Sequence, residues 1–315
     1  MVPAVSRALV TGGAGFIGAH LVRRLSQQGF DVVVLDDMCW GKRERLTGVP
    51  HTLLETSVLD LPKVAEQLQG VTHVFHLAAL ISAYESLEQP DRYLTTNVFG
   101  TLRVLELCRA LSRPRVVFAS TSGIYGNSAG AVKRETDLPS PATVYASTKL
   151  SGEQLLNLYR DRFDFDDVSL RFFNVYGPGQ SPKHPYANVT CRFSRAAALG
   201  EAVDLYGDGA QTRDFVYIDD VLDALMAAAT RPTASRLYNI GTGQDASIAT
   251  LLEQVQLLSG AQLEVRRHAA WPNDIRHIRA DISLAQRELG FRPQVSLRDG
   301  LARTIEFFRS AGRDF

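Results

Sequence analysis

The stretch TGGAGFIG, residues 11–18, limits the fold more than any other part of the chain. It follows an apolar run, RALV, and opens an amphipathic segment, GFIGAHLVRRLSQQG, that ends at Gly29. Gly12, Gly15 and Gly18 stand three residues apart. This order predicts a strand, a turn too tight for a Cβ, and a helix. The N–H groups and partial positive charge at such a helix start suit a pyrophosphate. The next apolar run, FDVVVLDD, brings Asp36 and Asp37 to a second strand end. A carboxylate there accepts both ribose hydroxyls of NAD and repels the extra phosphate of NADP, so NAD is the expected cofactor.

The same rhythm continues to about residue 172. VTHVFHLAA and PRVVFASTS read as strands, NVFGTLRVLELCRALS and VYASTKLSGEQLLNLYRDRF as helices, and DVSLRFFNVYG as one further strand. Continuous apolar strands separated by helices predict an α/β fold, a Rossmann-type doubly wound parallel sheet. The Gly- and Pro-rich GPGQSPKHPY (177–186) then reads as a surface loop. Beyond it helices are expected near 188–199, 219–230, 247–259 and 298–310, with RDFVYI and RLYNIG as short strands. Residues 1–172 are therefore assigned to the NAD-binding domain, with a returning segment near 212–240. Residues 173–315 form a smaller α/β region for substrate.

Thirty-four basic residues balance 34 acidic ones, for a formal net charge of +0. That gives no electrostatic case for nucleic acid or an anionic membrane, so a phosphate-bearing partner must be held by local features. The start, MVPAVSRALV, lacks the pattern of a signal peptide, and no apolar run approaches ~18 residues, which points to a cytoplasmic protein without a membrane span. Cys39, Cys108 and Cys191 are far apart and read as buried thiols of a reducing compartment. His76 and His184 have no acidic partner at ligand spacing; both read as structural, and no metal site is expected.

VYASTK, residues 144–149, sets Tyr145 and Lys149 four apart in a chain with five lysines. The spacing alone also describes one solvated helical turn. Its place after a strand end, where a doubly wound sheet opens its crevice, favours chemistry. The other lysines, Lys42, Lys63, Lys133 and Lys183, fall in expected loops or surfaces. An unperturbed tyrosine ionises near about 10; an ammonium and a cationic nicotinamide both favour phenolate and would make a usable base.

Further stretches run nearly end to end: HLAA, TTNVFGT, FASTSGIYG, LRFFNVYGPGQ, YGDGAQTRDFVYIDDV and YNIGTG. With TGGAGFIG and YASTK they resemble the extended short-chain dehydrogenase/reductases, and within them the nucleotide-sugar epimerases and dehydratases. The resemblance implies a cofactor site of Gly12, Gly15, Phe16, Ile17, Gly18, Asp36, Asp37, Ser57, Val58, Leu77, Ala78, Ala79, Asn97, Tyr145, Lys149 and Phe172. It implies Thr121, Tyr145 and Lys149 as the catalytic set. Ser82, Thr121, Ser122, Asn174, Asn188, Val189, Val203, Tyr206, Arg213, Asp274 and Ile278 are its substrate residues. Relatives pair the helices near 97–111 and 147–162 across a two-fold axis, so a homodimer is expected.

After the family threonine, 4,6-dehydratases carry Asp-Glu and UDP-glucuronate decarboxylases Ser-Glu; this chain has Ser122-Gly123. Without that carboxylic acid, oxidation and re-reduction at one carbon is expected, a UDP-sugar 4-epimerase. Other departures bear on the sugar. Trp271 stands where relatives often have arginine, leaving the diphosphate to Arg213 with Arg276 in reserve. The family's adenine-binding GDI reads TSV, in which Ser57 and the backbone of Val58 could serve. Ile81 replaces a lysine of many UDP-galactose 4-epimerases, and Ile278 is intermediate at the site that screens N-acetyl groups. The loop QSPKHPYANV is closer to relatives acting on UDP-N-acetylhexosamines. Ser181 stands where uronate epimerases place an arginine. A uronate epimerase, dehydratase, decarboxylase, 4-ketoreductase or non-catalytic NAD-binding regulator are the alternatives.

Overall fold

Branched apolar runs without polar alternation need cover on both faces. Arg7–Thr11 (β1), Asp31–Asp36 (β2), Thr52–Glu55 (β3), His73–His76 (β4) and Arg115–Thr121 (β5) meet that need as a parallel array with β1 between β2 and β4. The computed structural model describes residues 6–128, 130–182, 187–270 and 275–312. Lys183, His184, Tyr186, Trp271 and Asp274 lie outside the described residues.

After β5 the short strand Val132–Lys133 (β6) joins another sheet, while Asp167–Phe172 (β7) and Leu237–Ile240 (β12) extend the first. The order is β12-β7-β5-β4-β1-β2-β3. It reverses direction between β1 and β4, the switch point at which open α/β sheets bind ligands. The helices Phe16–Gln27 (α1), Gly100–Ala110 (α4) and Val144–Phe163 (α5) accompany this sheet, with single turns at Glu85–Glu88 (α2) and Pro90–Tyr93 (α3).

The chain divides into two compact units. The first comprises Met1–Ile124, Pro141–Arg171 and Ala224–Tyr238. The second comprises Tyr125–Ser140, Phe172–Asp223 and Asn239–Phe315. In the second lie Asn174–Tyr176 (β8), Val189–Leu199 (α6), Val203–Tyr206 (β9), Thr212–Arg213 (β10) and Phe215–Tyr217 (β11), after which Ile218–Thr230 (α7) leads back toward the first. Ala246–Ser247 (β13), Ile248–Ser259 (α8), Val265–His268 (β14), His277–Ala280 (β15), Ser283–Glu288 (α9) and Leu297–Ala311 (α10) complete it. Its sheets are β13-β10-β15-β6 and the parallel pairs β11-β8 and β14-β9. The helix α10 packs on α6 and α8.

Several sequence expectations require correction. DVSLRFFNVYG is not one strand: Phe173 donates its N–H to Ile240, and Asn174 donates its own to Asp214, so the chain changes sheets between β7 and β8. RDFVYI likewise divides at Asp214 into β10 and β11. Residues Leu94–Phe99 form a wider π turn ahead of α4. Cys39 is exposed, because it lies in the loop beyond β2. Lys133 is buried in β6, where the carbonyl (2.6 Å) and hydroxyl (2.9 Å) of Ser128 accept from its ammonium. No described helix is long and apolar enough to cross a membrane.

The long helix α5 starts where Thr143 accepts the Ala146 N–H at 3.2 Å and ends at left-handed Asp164. Its buried face is Ala146, Lys149, Gly152, Glu153, Leu156 and Tyr159, the spacing of one helical stripe. A Cβ at Gly152 would stand 2.5 Å from the rim of the buried Phe118 ring on β5. Gly152→Ala should therefore push α5 outward and destabilise the protein by about 1–3 kcal/mol, despite alanine's better helix propensity. Calorimetry of the variant should show a lower Tm.

Candidate active site

The glycine loop is built by close approach. Gly12 has φ +71°, and a Cβ there would lie 2.8 Å from the backbone nitrogen of Ala78, beyond β4. A Cβ on Gly18 would strike the carbonyl oxygen of Gly12. Gly15 is the N-cap of α1 and has no side-chain cap, so this helix start presents main-chain N–H groups. Phe16 and Ile17 open the helix, half-buried. The loop is thus a cradle that side chains would fill, as a pyrophosphate requires.

Asp36 ends β2 beside it, buried. Its carboxylate accepts from the N–H groups of Ala14 and Met38, each at 2.9 Å. Burial raises its pKa, although those two N–H groups oppose the shift. Both oxygens keep further acceptor capacity, which suits ribose hydroxyls. Asp36 also ties the glycine loop to β2, a role sequence reasoning missed. Asp37 is exposed and accepts the Cys39 N–H. Ser57 accepts from Leu59 at 3.2 Å, and the Val58 side chain packs beneath Gly100.

Leu77, Ala78 and Ala79 form the wall across the switch point, and a buried polar relay holds them. The Ala78 N–H reaches Thr11 Oγ1 at 3.3 Å, and Thr11 Oγ1 lies 2.8 Å from His76 Nδ1. His76 Nε2 lies 3.0 Å from Thr101 Oγ1, whose proton goes to the Asn97 carbonyl at 2.6 Å. Because that proton is committed, His76 must donate from Nε2 and accept at Nδ1. Burial first, then Lys149, depresses the His76 pKa to about 3, so the ring is neutral. Asn97 brackets Leu80 from both sides and donates to Thr148 Oγ1 at 2.9 Å; Thr148 in turn donates to the Tyr145 carbonyl at 2.7 Å. The sequence offered no local signal for this chain of contacts.

Thr121 ends β5, where its hydroxyl oxygen accepts the Gly123 N–H at 3.1 Å; Ser122 beside it is buried. A Cβ on Gly123 would lie 3.4 Å from Thr121 Oγ1 and 3.7 Å from the Ala146 side chain. The end of β5 therefore meets the start of α5, next to half-buried Tyr145. Lys149 is 4% exposed and donates to the Ala119 carbonyl at 2.8 Å. Its ammonium lies 4.9 Å from the centre of the Phe118 ring. Burial lowers its pKa to about 7, against the upward pull of Glu153. Ser82 is buried and caps Glu85, while its N–H donates to Tyr93 Oη.

In the second unit, Asn188 caps α6 through the Thr190 N–H and donates to the Val175 carbonyl at 3.1 Å, so it lies beside the strand that carries Asn174; Val189 follows it as the first residue of α6. Phe172 is buried at the end of β7. Buried Val203 begins β9 and half-buried Tyr206 ends it, with the His268 ring stacked at 4.9 Å. Arg213 stands opposite buried Ile278 in the β10–β15 register and donates to the carbonyls of Thr212 and Ile275. Exposed Arg276 forks onto Asp208 at 2.8 and 3.0 Å. Sequence reasoning passed over Asp214, wholly buried, which accepts from Thr242 N, Thr242 Oγ1, Gly243 N and Ala280 N. It anchors the junction that follows Arg213.

A model of the NAD dependent epimerase/dehydratase family matches residues 8–241. The chain belongs to this family. It is 38% identical over 310 residues to a UDP-glucose 4-epimerase of Mycolicibacterium smegmatis, covering 96% of this chain and 99% of that one. Its fold matches the UDP-glucose 4-epimerase of Thermus thermophilus, solved with NAD, at a TM-score of 0.89 and 36% identity over 97% of this chain and 100% of that one. A UDP-N-acetyl-alpha-D-glucosaminuronate decarboxylase of Bacillus cytotoxicus is 33% identical over 98% of this chain and 99% of its own. The family thus spans more than one reaction. Its cofactor is NAD, and the glycine cradle with Asp36 fits that group.

Gly15 has φ −71°, so alanine would cause no strained φ there. Its Cβ would project 3.1 Å from the Gly12 carbonyl, into the cradle. Gly15→Ala should fold yet bind NAD at least about tenfold more weakly, a loss of about 1.4 kcal/mol. Calorimetric titration of nucleotide-stripped protein checks this.

Proposed function

We propose that this protein is an NAD-dependent UDP-sugar 4-epimerase, acting on UDP-glucose/galactose or UDP-N-acetylglucosamine/galactosamine in the cytoplasm. The reading rests on Gly123. Position 123 faces the Thr121 hydroxyl and the start of α5, where a carboxylic acid would reach the reacting group; glycine supplies none. Elimination of water needs an acid and a second base. Proton exchange at a single hydroxyl needs one base, and Tyr145 is that base.

Lys149 stabilises the Tyr145 phenolate, which takes the C4 hydroxyl proton while Thr121 shares it. NAD, when bound, supplies a reversible hydride acceptor. Arg213 and Asn174 hold the diphosphate, and Val203 and Tyr206 serve the nucleotide's uracil. Binding energy placed on the nucleotide leaves the 4-keto sugar free to turn and show its other face. Tyr145 then returns the proton, and C4 is inverted. A non-catalytic regulator would have no use for Thr121, Tyr145 and Lys149 together.

Purified protein, with no cofactor added, should convert UDP-glucose or UDP-N-acetylglucosamine into its C4 epimer, read by proton NMR of H4; conversion of UDP-glucuronate instead would establish the uronate epimerase. Tyr145→Phe should lower kcat by about 10²–10⁴-fold while NAD content stays unchanged. A 4-keto-6-deoxy or pentose product would instead establish a dehydratase or decarboxylase.

A homodimer is part of the same proposal. Tyr159 on α5 donates to Glu106 on α4, and the Arg109 guanidinium lies 5.5 Å from the Phe163 ring centre, so the two helices stand side by side. Leu94, Phe99, Leu158 and Phe163 are exposed on or next to them. Light scattering should report a dimer, and Phe99→Glu with Leu158→Glu should yield folded monomer.

A further inference from the structure

Glu153 lies one helical turn beyond Lys149 on α5, buried, and its hydrogen-bond partners Ser120 and Arg171 are buried too. Ser120 donates to its Oε1 at 2.6 Å. Arg171 on β7 donates to Oε1 at 2.9 Å and to Oε2 at 2.7 Å. Three donor groups from two strands thus hold one carboxylate a helical turn along from Lys149. Buried ion pairs of this kind are a weak source of stability, since the two desolvation costs offset much of the attraction. Their placement is more informative than their energy.

Lys149 has an uncommon setting. Its ammonium meets a carbonyl and an aromatic face, neither of which carries a formal negative charge. The charged and titratable groups that act on it are Glu153, one turn on along its own helix, and neutral His76 at the end of β4; Tyr145 stands one turn earlier on α5, and Arg171 on β7 pairs with Glu153. Among these, Glu153 is the anion that favours the protonated amine. Burial outweighs the upward pull of Glu153, so the Lys149 proton is lost as pH rises through about 7 even with that carboxylate in place.

We infer that Glu153 is a positioning residue for the proposed reaction: clamped by Ser120 and Arg171, it keeps the buried Lys149 charged and thereby keeps Tyr145 usable as a base. The inference rests on the proposed role of Tyr145 but not on which sugar is turned over. Its sign is definite. A fixed negative charge beside Lys149 moves loss of the ammonium to higher pH; removing that charge moves the loss to lower pH, and Tyr145 then ionises less readily.

The test uses the holoprotein and needs no substrate. Tyrosinate absorbance near ~295 nm is titrated in each variant and in its Tyr145→Phe counterpart, so that the difference isolates Tyr145. Glu153→Gln with Arg171→Met removes the ion pair as a unit. It should raise the Tyr145 ionisation by about one pH unit, a tenfold loss of phenolate at neutral pH. Glu153→Asp, which retains the charge, should stay within about 0.3 unit of the wild type. Should the double variant fail to fold, Glu153→Gln alone is isosteric and should shift the titration in the same direction. In turnover, the alkaline limb of the kcat profile should move to lower pH in the neutral variants and not in Glu153→Asp. A folded, NAD-loaded neutral variant with unchanged Tyr145 titration overturns the inference, as does Glu153→Asp shifting as far as the neutral variants. If the wild type inverts none of the sugars, the proposed function fails while this titration still decides the role of Glu153.

Discussion

The backbone contact between Gly12 and Ala78 is the constraint on which the first unit turns. Two strand ends can approach this closely only if no side chain intervenes and every polar group trapped there finds a partner. The first condition is met by glycine, with φ +71°. The second is met by Thr11, which takes the Ala78 N–H and passes its own proton toward His76. From His76 the bonds continue through Thr101, Asn97 and Thr148 to the Tyr145 carbonyl. One relay therefore ties the glycine turn to the helix that carries Tyr145, the proposed base. A displacement at either end would leave a buried polar group without its partner, which costs about 1–3 kcal/mol.

Buried cations in this chain are treated in different ways, and the difference has chemical consequences. Arg171 is matched by a carboxylate through two parallel bonds, the geometry that fixes a guanidinium as a permanent charge. Lys133 is held by two oxygens of Ser128. Lys149 has a carbonyl and a ring face instead; burial lowers the pKa of both lysines and brings that of Lys149 to about 7. An amine balanced near neutrality can tune a neighbour; an arginine in the same place could not be deprotonated.

Much of the architecture was legible because its causes are local. The glycine loop announces itself through the turn it must make. The α6, α8 and α10 starts are marked by Asn188, Ser247 and Ser296, each accepting a main-chain N–H within its own first turn. The break in DVSLRFFNVYG was not legible, since both halves are apolar and extended; the partners, Ile240 and Asp214, come from elsewhere in the chain. The π turn at Leu94–Phe99 was hidden for a similar reason. Within it Asn97 brackets Leu80, a partner seventeen residues away that no local pattern announces.

By itself the sequence determined the family, the parallel sheet and the choice of NAD, and supplied the residue types of the proposed reacting centre, because each follows from short-range sterics or from chemistry attached to a single side chain. Tertiary structure decided which of those side chains are solvated and what they lean on. Glu153 and Lys149 are an ordinary helical pair in the sequence; burial against β5 and β7 makes one an anchored anion and the other a titratable amine. Dielectric environment and hydrogen-bond partners belong to the packed molecule, since they are set by residues far away in the chain.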